Sequence, residues 1–310
     1  AIIPSVSYGM SIIARNTRLS SGDKVVVVEE QFPSAVYTWR KTCARSGATL
    51  RVVESPTDGR SRGKNWNQKL IDAIDVATKI VVIPEFHWTD GLRFDLKMVR
   101  NRTKEIGARL VVDGTQSIGV QPFDVQDIRP DALLCAGYKW LTGPYGIGLA
   151  YFDESLNNGE PLEENWITRL GSENFSGLTQ YQDSYQPGAI RYDVGERSNF
   201  VMLPMLKTAL TQIIEWRPER IASHCEKLTQ NTAVKLQKLG LEVEDEDWRA
   251  GHILGIQIPR SVERQHLTKA LEKHRISASL RGNSLRISPH VYNNLDDTEA
   301  LVEVLASQFG

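Results

Sequence analysis

Lys139 stands in the run Ala136-Gly137-Tyr138-Lys139-Trp140-Leu141-Thr142-Gly143-Pro144-Tyr145-Gly146-Ile147-Gly148. Asp113 stands in a second run, Val111-Val112-Asp113-Gly114-Thr115-Gln116-Ser117-Ile118-Gly119. Each run has an apolar, strand-like stem that ends in small residues carrying one ionisable group. Such a pair places an amine and a carboxylate at neighbouring strand ends of an α/β sheet, where these sheets bind ligands. Burial and nearby cations lower a lysine's pKa enough to make it nucleophilic. The chemistry this points to is Schiff-base formation with pyridoxal 5'-phosphate (PLP).

The elements that must position these groups follow from periodicity. Short apolar runs alternate with longer amphipathic ones, the βαβ pattern of a mostly parallel sheet. Strands are expected over 24–28, 49–53, 80–83, 110–112, 132–136 and 147–152. Helices are expected over 5–15, 33–46, 65–75 and 95–106. The stretch 154–197 is polar and irregular, and a loop region this long in a compact domain is usually functional. A long helix is expected from Phe200 to Trp216, broken at Pro218, with a second helix reaching about Leu239. Strands over 252–258, 276–280 and 285–288 and helices over 262–274 and 295–309 complete a smaller α+β unit. The acidic run 242–247 reads as a solvated loop.

Length and composition narrow the function class. A chain of 310 residues accommodates two domains, here 1–199 and 200–310. Hydrophobic and charged fractions of 41% and 24% are those of an ordinary globular protein. A formal net charge of -1 gives no general electrostatic case for nucleic acid or an anionic membrane. Cys43, Cys135 and Cys225 have no metal-ligand spacing and are too few for a disulfide framework. A reducing cytoplasm is the expectation, with no bound metal. The opening Ala1-Ile2-Ile3-Pro4 lacks a methionine and begins inside a folded element, so further chain upstream is expected.

A PLP enzyme needs a lysine, an anion at the pyridine nitrogen, a phosphate cradle and an aromatic plate on the ring. Asp113 suits the nitrogen, where a contact ion pair is worth about 4 kcal/mol at an effective dielectric near 20. A turn or helix cap before Gly114 is the alternative role for it. Ser5, Val6 and Ser7 open the first helix, where free N–H groups and the helix dipole favour a phosphate. Plain N-capping competes with that reading. Tyr138 adds a phenol to the same phosphate, and Phe32 is placed to stack on the ring.

Taken together, these motifs resemble the class V branch of fold-type I PLP enzymes. That branch holds class V aminotransferases, cysteine desulfurases, selenocysteine lyases, kynureninase and isopenicillin N epimerase-like proteins. The likeness runs along nearly the whole chain. It is most specific at Asp113-x-x-Gln116 and at Tyr138-Lys139 with the following Gly-Pro-x-Gly-x-Gly. The implied fold is α/β and PLP-dependent transferase-like (fold type I), with a mostly parallel central sheet and a smaller C-terminal α+β domain. The resemblance gives Asp113 the pyridine nitrogen, Gln116 the phenolic oxygen and Lys139 the Schiff base. Phe32-Pro33-Ser34 and Tyr138 are similar to the kynureninase version of the site. Ser7-Tyr8-Gly9 matches the family's phosphate-binding helix start.

Further roles come with the resemblance. Arg286, in Ser284-Leu285-Arg286-Ile287-Ser288, is similar to the family's arginine for the substrate α-carboxylate, with Arg281 as the fallback. A surface arginine on an edge strand is the plain alternative. Gly195-Glu196-Arg197-Ser198 resembles the loop that reaches the partner's phosphate, which implies a homodimer with a shared active site. His87-Trp88-Thr89-Asp90 matches the loop beneath the cofactor, although the family often has asparagine where Asp90 stands. His87 fits a structural role as well as a catalytic one.

Desulfurases need a cysteine shortly before the carboxylate-binding arginine, and none occurs between His252 and Arg286. Kynureninases usually carry an aspartate soon after the Phe-Pro pair, where this chain has Ala35. The expectation is therefore an aminotransferase acting on an amino acid or related amine. A Cβ–S lyase comes second and an isopenicillin N epimerase-like enzyme third. A protein of this fold that binds cofactor without turnover is the non-enzyme alternative.

Overall fold

The computed structural model describes residues 1–56, 61–259 and 262–309. Its first unit runs β1 (Ile2–Ile3), α1 (Val6–Arg15), β2 (Lys24–Val28), α2 (Pro33–Ser46), β3 (Thr49–Val53), α3 (Arg62–Ala73) and β4 (Thr78–Pro84). It continues through α4 (Leu96–Ile106), β5 (Arg109–Asp113), α5 (Val125–Ile128), β6 (Ala132–Ala136) and β7 (Gly148–Phe152). Seven strands form one sheet in the order β1-β7-β6-β5-β4-β2-β3. The pairings from β3 through β2, β4 and β5 to β6 are parallel, whereas β7 is antiparallel to both β6 and β1.

Burial explains why β2 reads as an unbroken valine run. Val25 and Val27 enter the core on the α1–α2 face, and Val26 and Val28 enter the core on the α3–α4 face. A parallel strand covered by helices on both sides has no polar face to alternate with. Each buried valine contributes roughly 1.5–3 kcal/mol relative to exposure. The short β1 shows why the chain starts apolar: Ile2 pairs with Leu149 and Ile3 with Gly148.

After the irregular stretch come α6 (Met202–Trp216) and α7 (Pro218–Lys238), then β8 (Leu254–Gln257), α8 (Arg264–Lys273), β9 (Ser279–Arg281), β10 (Ser284–Ile287) and α9 (Leu295–Phe309). The break between α6 and α7 falls one residue earlier than the proline. Arg217 takes a left-handed φ of 65°, and Pro218 opens α7 at the position where its missing N–H costs nothing. The three-stranded sheet has β10 in the middle, antiparallel to β8 and β9. Its core of Leu254, Ile256 and Leu285 packs under α7, α8 and α9.

A separate cluster joins the two sheets. Phe86 and Trp140 from the large sheet meet Ile213, Ile221 and Cys225 of α6 and α7, together with Ile253. The turn after β4 packs so tightly here that a Cβ on Gly91 would lie 2.5 Å from the Ile253 carbonyl. The acidic run 242–247 is largely solvent-exposed, as expected, with Glu242, Asp245, Glu246 and Asp247 open to water. Glu244 accepts the Gly63 N–H at 2.9 Å and Asp245 accepts the Ser61 hydroxyl at 2.7 Å, so both acids sit at the positive end of α3.

Candidate active site

The carboxyl ends of β2, β4, β5 and β6 open onto a cavity of about 240 Å³. The order of the large sheet reverses between β2 and β4, and clefts at such switch points are where α/β sheets take ligands. Of the residues singled out by sequence, Val6, Ser7, Phe32, Asp113, Gln116, Tyr138 and Lys139 all line this cavity. Arg286 and Gly195 do not. Arg286 stands behind Trp88, a lining residue, and Gly195 gives its N–H to Glu163 Oε2 at 2.5 Å.

Backbone geometry sets Lys139 in place. Gly137 donates to the Ile147 carbonyl at 2.9 Å, Gly143 returns to the Gly137 carbonyl at 2.8 Å, and Thr142 donates to the Lys139 carbonyl at 2.9 Å. A Cβ on Gly137 would sit 2.6 Å from the Ile147 oxygen, so only glycine fits this turn. Thr115 couples the turn to β5: its Oγ1 accepts the Ala136 N–H at 3.2 Å, while its own N–H donates to Asp113 Oδ1 at 3.0 Å.

Asp113 and Lys139 are both driven toward their neutral forms. Burial raises the Asp113 carboxyl, against the Thr115 hydrogen bond and the nearby Lys139 charge. Burial lowers the Lys139 ammonium, opposed by Asp113 and reinforced by Arg286 and Arg281. Lys139 Nζ lies 5.5 Å from the centroid of the Phe32 ring, over its face. Phe32 in turn meets Trp88 edge to face at 5.5 Å, and Trp88 donates its indole N–H to the Glu30 carbonyl at 2.6 Å.

At the far end of the cavity α1 begins. Ser5 caps it by accepting the Tyr8 N–H at 3.2 Å, and Ser5 and Ser7 share a hydroxyl contact at 2.8 Å. Tyr138 stands 4.7 Å from Tyr145, ring centre to ring centre, and is 40% exposed. The cavity thus has a helix N-terminus with hydroxyls at one end, an aromatic plate, a lysine and a buried carboxylate. These features suit the phosphate, ring, carbonyl carbon and ring nitrogen of PLP. The sharpest fit is Asp113: one oxygen is taken by Thr115, and no protein donor among the described residues reaches the other. A buried carboxylate left this way calls for a cation, and a protonated ring nitrogen is one.

Two residues are structural. His87 is buried with both ring nitrogens engaged, Nδ1 with Thr89 Oγ1 at 2.7 Å and Nε2 with the Glu29 carbonyl at 3.1 Å. Asp90 pairs with Arg62, accepts the Leu92 N–H at 3.2 Å and lies 3.5 Å from His87 Nδ1, away from the cavity. Sequence reading missed Gln31, which lines the cavity with a buried amide nitrogen lacking a partner. It also missed His252, which touches Gln116 from the far side, and the contact of Trp140 with Gln116. Gln31 directly precedes Phe32 and Trp140 directly follows Lys139, so adjacency was the only sequence signal; His252 had none.

The chain is similar to known proteins in sequence and in fold. The chain is 24% identical over 309 residues to the uncharacterized aminotransferase YcbU of Bacillus subtilis, a match that covers 99% of this chain and 78% of that protein. It is 30% identical over 166 residues to a cysteine desulfurase of Haloferax volcanii, covering 54% of this chain and only 36% of the relative's length. In three dimensions it superposes on C-DES, solved as a mutant with glycine covalently linked to its PLP cofactor. That match has a TM-score of 0.86 at 18% identity and covers 99% of this chain and 80% of that one. The apo cysteine desulfurase of Thermococcus onnurineus NA1 gives 0.82 at 21% identity, with coverage of 99% and 78%. The sequence model of the aminotransferase class-V family, a PLP-dependent group, matches residues 5–301, and the chain belongs to that family.

Proposed function

We propose that the chain is a PLP-dependent aminotransferase acting on an amino acid, with Lys139 as its catalytic lysine. The observation that carries this reading is the convergence of Lys139, Asp113 and the start of α1 on one cavity. When bound, PLP supplies an electron-withdrawing ring conjugated to the substrate nitrogen.

The residues then divide the work. Asp113 opposes the ring nitrogen and holds a proton on it. Lys139 Nζ, kept toward the neutral amine by burial, binds the cofactor and afterwards moves the proton from the substrate α-carbon. Phe32 covers one ring face, and Gln116 approaches the phenolic oxygen. Val6, Ser7 and Tyr138 hold the phosphate. Arg286 takes the α-carboxylate as a two-pronged donor, which lysine cannot reproduce. Residues 1–199 form the cofactor domain, and 200–310 the linking helices and small domain.

The thiols argue against persulfide chemistry. All three cysteines are buried and free, and burial pushes each thiol up, Cys225 to about 11. None supplies the thiolate a desulfurase needs. β-Elimination needs no such cysteine and is the second reading.

A second copy of the chain fits the surface. Trp166, Phe175, Tyr181, Phe200, Val201 and Met205 are all exposed on or beside the irregular stretch, and large exposed apolar side chains of this kind favour a partner surface. A homodimer covers them and brings Gly195 to the partner's phosphate. No helix among the described residues is long and apolar enough to cross a membrane; we place the protein in the cytoplasm on its free cysteines. The test is to add single amino acids to the PLP-loaded protein and follow the visible spectrum and the products. Conversion to pyridoxamine phosphate with release of an oxo acid is the expected result. Release of pyruvate or sulfide without that conversion establishes the lyase reading instead.

A further inference from the structure

We propose that Trp140 and His252 are positioning residues that lock Gln116 in one orientation, so that it offers its amide NH₂, and never its carbonyl, to the phenolic oxygen of PLP. This inference rests on the proposed role of Gln116 toward that oxygen and specifies how the role is enforced.

Trp140 fixes the side chain. Its Nε1–H donates to Gln116 Oε1 at 3.2 Å. An indole nitrogen is a donor only, so the amide must turn its oxygen to Trp140 and its nitrogen away. Gln116 is 7% exposed and lines the cavity, and no protein acceptor among the described residues engages its Nε2. With its oxygen held by Trp140, the amide N–H pair is left for a ligand in the cavity that Gln116 lines.

His252 fixes the backbone of the same residue. Its Nε2 lies 2.6 Å from the Gln116 carbonyl oxygen, and its Nδ1 lies 3.3 Å from Gln121 Nε2. The carbonyl only accepts, so Nε2 carries the proton; Nδ1 then receives the Gln121 N–H. Complete burial pushes the imidazole down to about 4, which keeps it neutral in this tautomer. Phe86 and Trp140 pack edgewise on the ring at 5.0 and 4.8 Å. His252 lies two residues before β8, so the position of the small sheet is transmitted to Gln116.

The consequence is electronic. With PLP bound through Lys139, Gln116 would face a phenolic oxygen carrying negative charge beside the Lys139 nitrogen. A donor on that oxygen competes for the charge and lowers the pH at which the neighbouring nitrogen loses its proton. A carbonyl in its place would raise that pH.

The test is a pH titration of the visible band of the PLP-loaded protein. Trp140→Phe is expected to move the midpoint up by about one pH unit, the scale of one charge-assisted hydrogen bond. Gln116→Ala should do the same, and the double variant should move no further than Gln116→Ala alone. A Trp140→Phe midpoint equal to wild type, or additive shifts in the double variant, overturns the proposal. Should Trp140→Phe not fold, His252→Asn decides: with the Gln116 backbone released, the midpoint is expected to move up as in Gln116→Ala. A His252→Asn midpoint equal to wild type overturns the proposal. A wild type that forms no visible band with PLP overturns the reading of the site itself, an outcome distinct from failure of the clamp.

Discussion

Arg286 Nη1 donates to the backbone carbonyl of Trp88 at 2.6 Å and so ties β10 of the small sheet to the turn that follows β4. Arg281, next along the same hairpin, holds its guanidinium carbon 5.7 Å from the Trp88 ring centroid. Neither arginine has a carboxylate within ion-pair distance among the described residues, and the Nε of each is buried without a partner. Burial, with Arg281 adding repulsion, lowers the Arg286 pKa. Two half-buried cations beside one cavity wall are left for an anionic ligand to neutralise.

In the proposed reading Arg286 bears on amino-acid binding more than on cofactor binding. Arg286→Ala should raise the amino-acid concentration needed for half-conversion on the order of 100-fold, two charge-assisted bonds being lost. Arg286→Lys should recover little of this, because an ammonium lacks the fork. Spectral titration with the amino acid checks both, and unchanged titrations would remove Arg286 from the substrate site.

In the proposed reading Asp113 costs the cofactor-free protein stability and holds the ring nitrogen once PLP is bound. Its folded pKa is raised above the ordinary 3.8, so the cofactor-free protein loses stability as pH rises from that value through the folded one. Asp113→Asn removes this loss. Its thermal midpoint relative to wild type should improve as pH rises above 3.8. PLP affinity should fall on the order of 100-fold in the same variant, since the ring nitrogen loses its counter-ion. Calorimetry on the cofactor-free proteins and PLP titration separate the two effects.

The parallel sheet and the residues at its strand ends were legible because both faces of that sheet are covered. Under those conditions a strand has to be an uninterrupted apolar run, and β2 and β6 fall at the expected limits; β3 also does, but as a largely exposed edge strand that includes Thr49 and Arg51. Helix α3 was displaced, starting at Arg62 instead of Asn65, because Glu244 from a distant loop caps it. The partners of Gln116 were illegible for a related reason. His252 lies 136 residues away from it in sequence and meets it only when the small sheet docks.

Glu85 gives the chain a stability term near neutral pH. Burial pushes its carboxyl up to about 7, against Arg93 and a bond to Ser117, and its Oε2 is buried without a partner. The folded group keeps its proton up to that pH while the unfolded one releases it near 4.5. Stability is therefore lost as pH rises between those values. Glu85→Gln should match wild type below that window and exceed it above, by roughly 2–3 kcal/mol at most. Urea unfolding across the range measures it.

The Arg62–Asp90 pair should behave in the opposite sense. Burial raises the Asp90 carboxyl, but the His87 ring, Arg62 and the Leu92 N–H outweigh it and hold the carboxyl below its ordinary range. Its stabilisation is present above about 3.8 and is lost as pH falls below that. Arg62→Met strands a buried carboxylate and should cost roughly 3–5 kcal/mol. Adding Asp90→Asn should return most of that loss, and a double variant no more stable than Arg62→Met would show that the charge is not what was stranded.

The proposed chemistry depends on Lys139 carrying the cofactor. Borohydride reduction of the PLP-loaded protein, followed by proteolysis and peptide mass spectrometry, tests this most directly. The account predicts a phosphopyridoxyl group on Lys139 and none elsewhere, with the label absent in Lys139→Ala. A label on another lysine, or no label on a protein saturated with PLP, would contradict it.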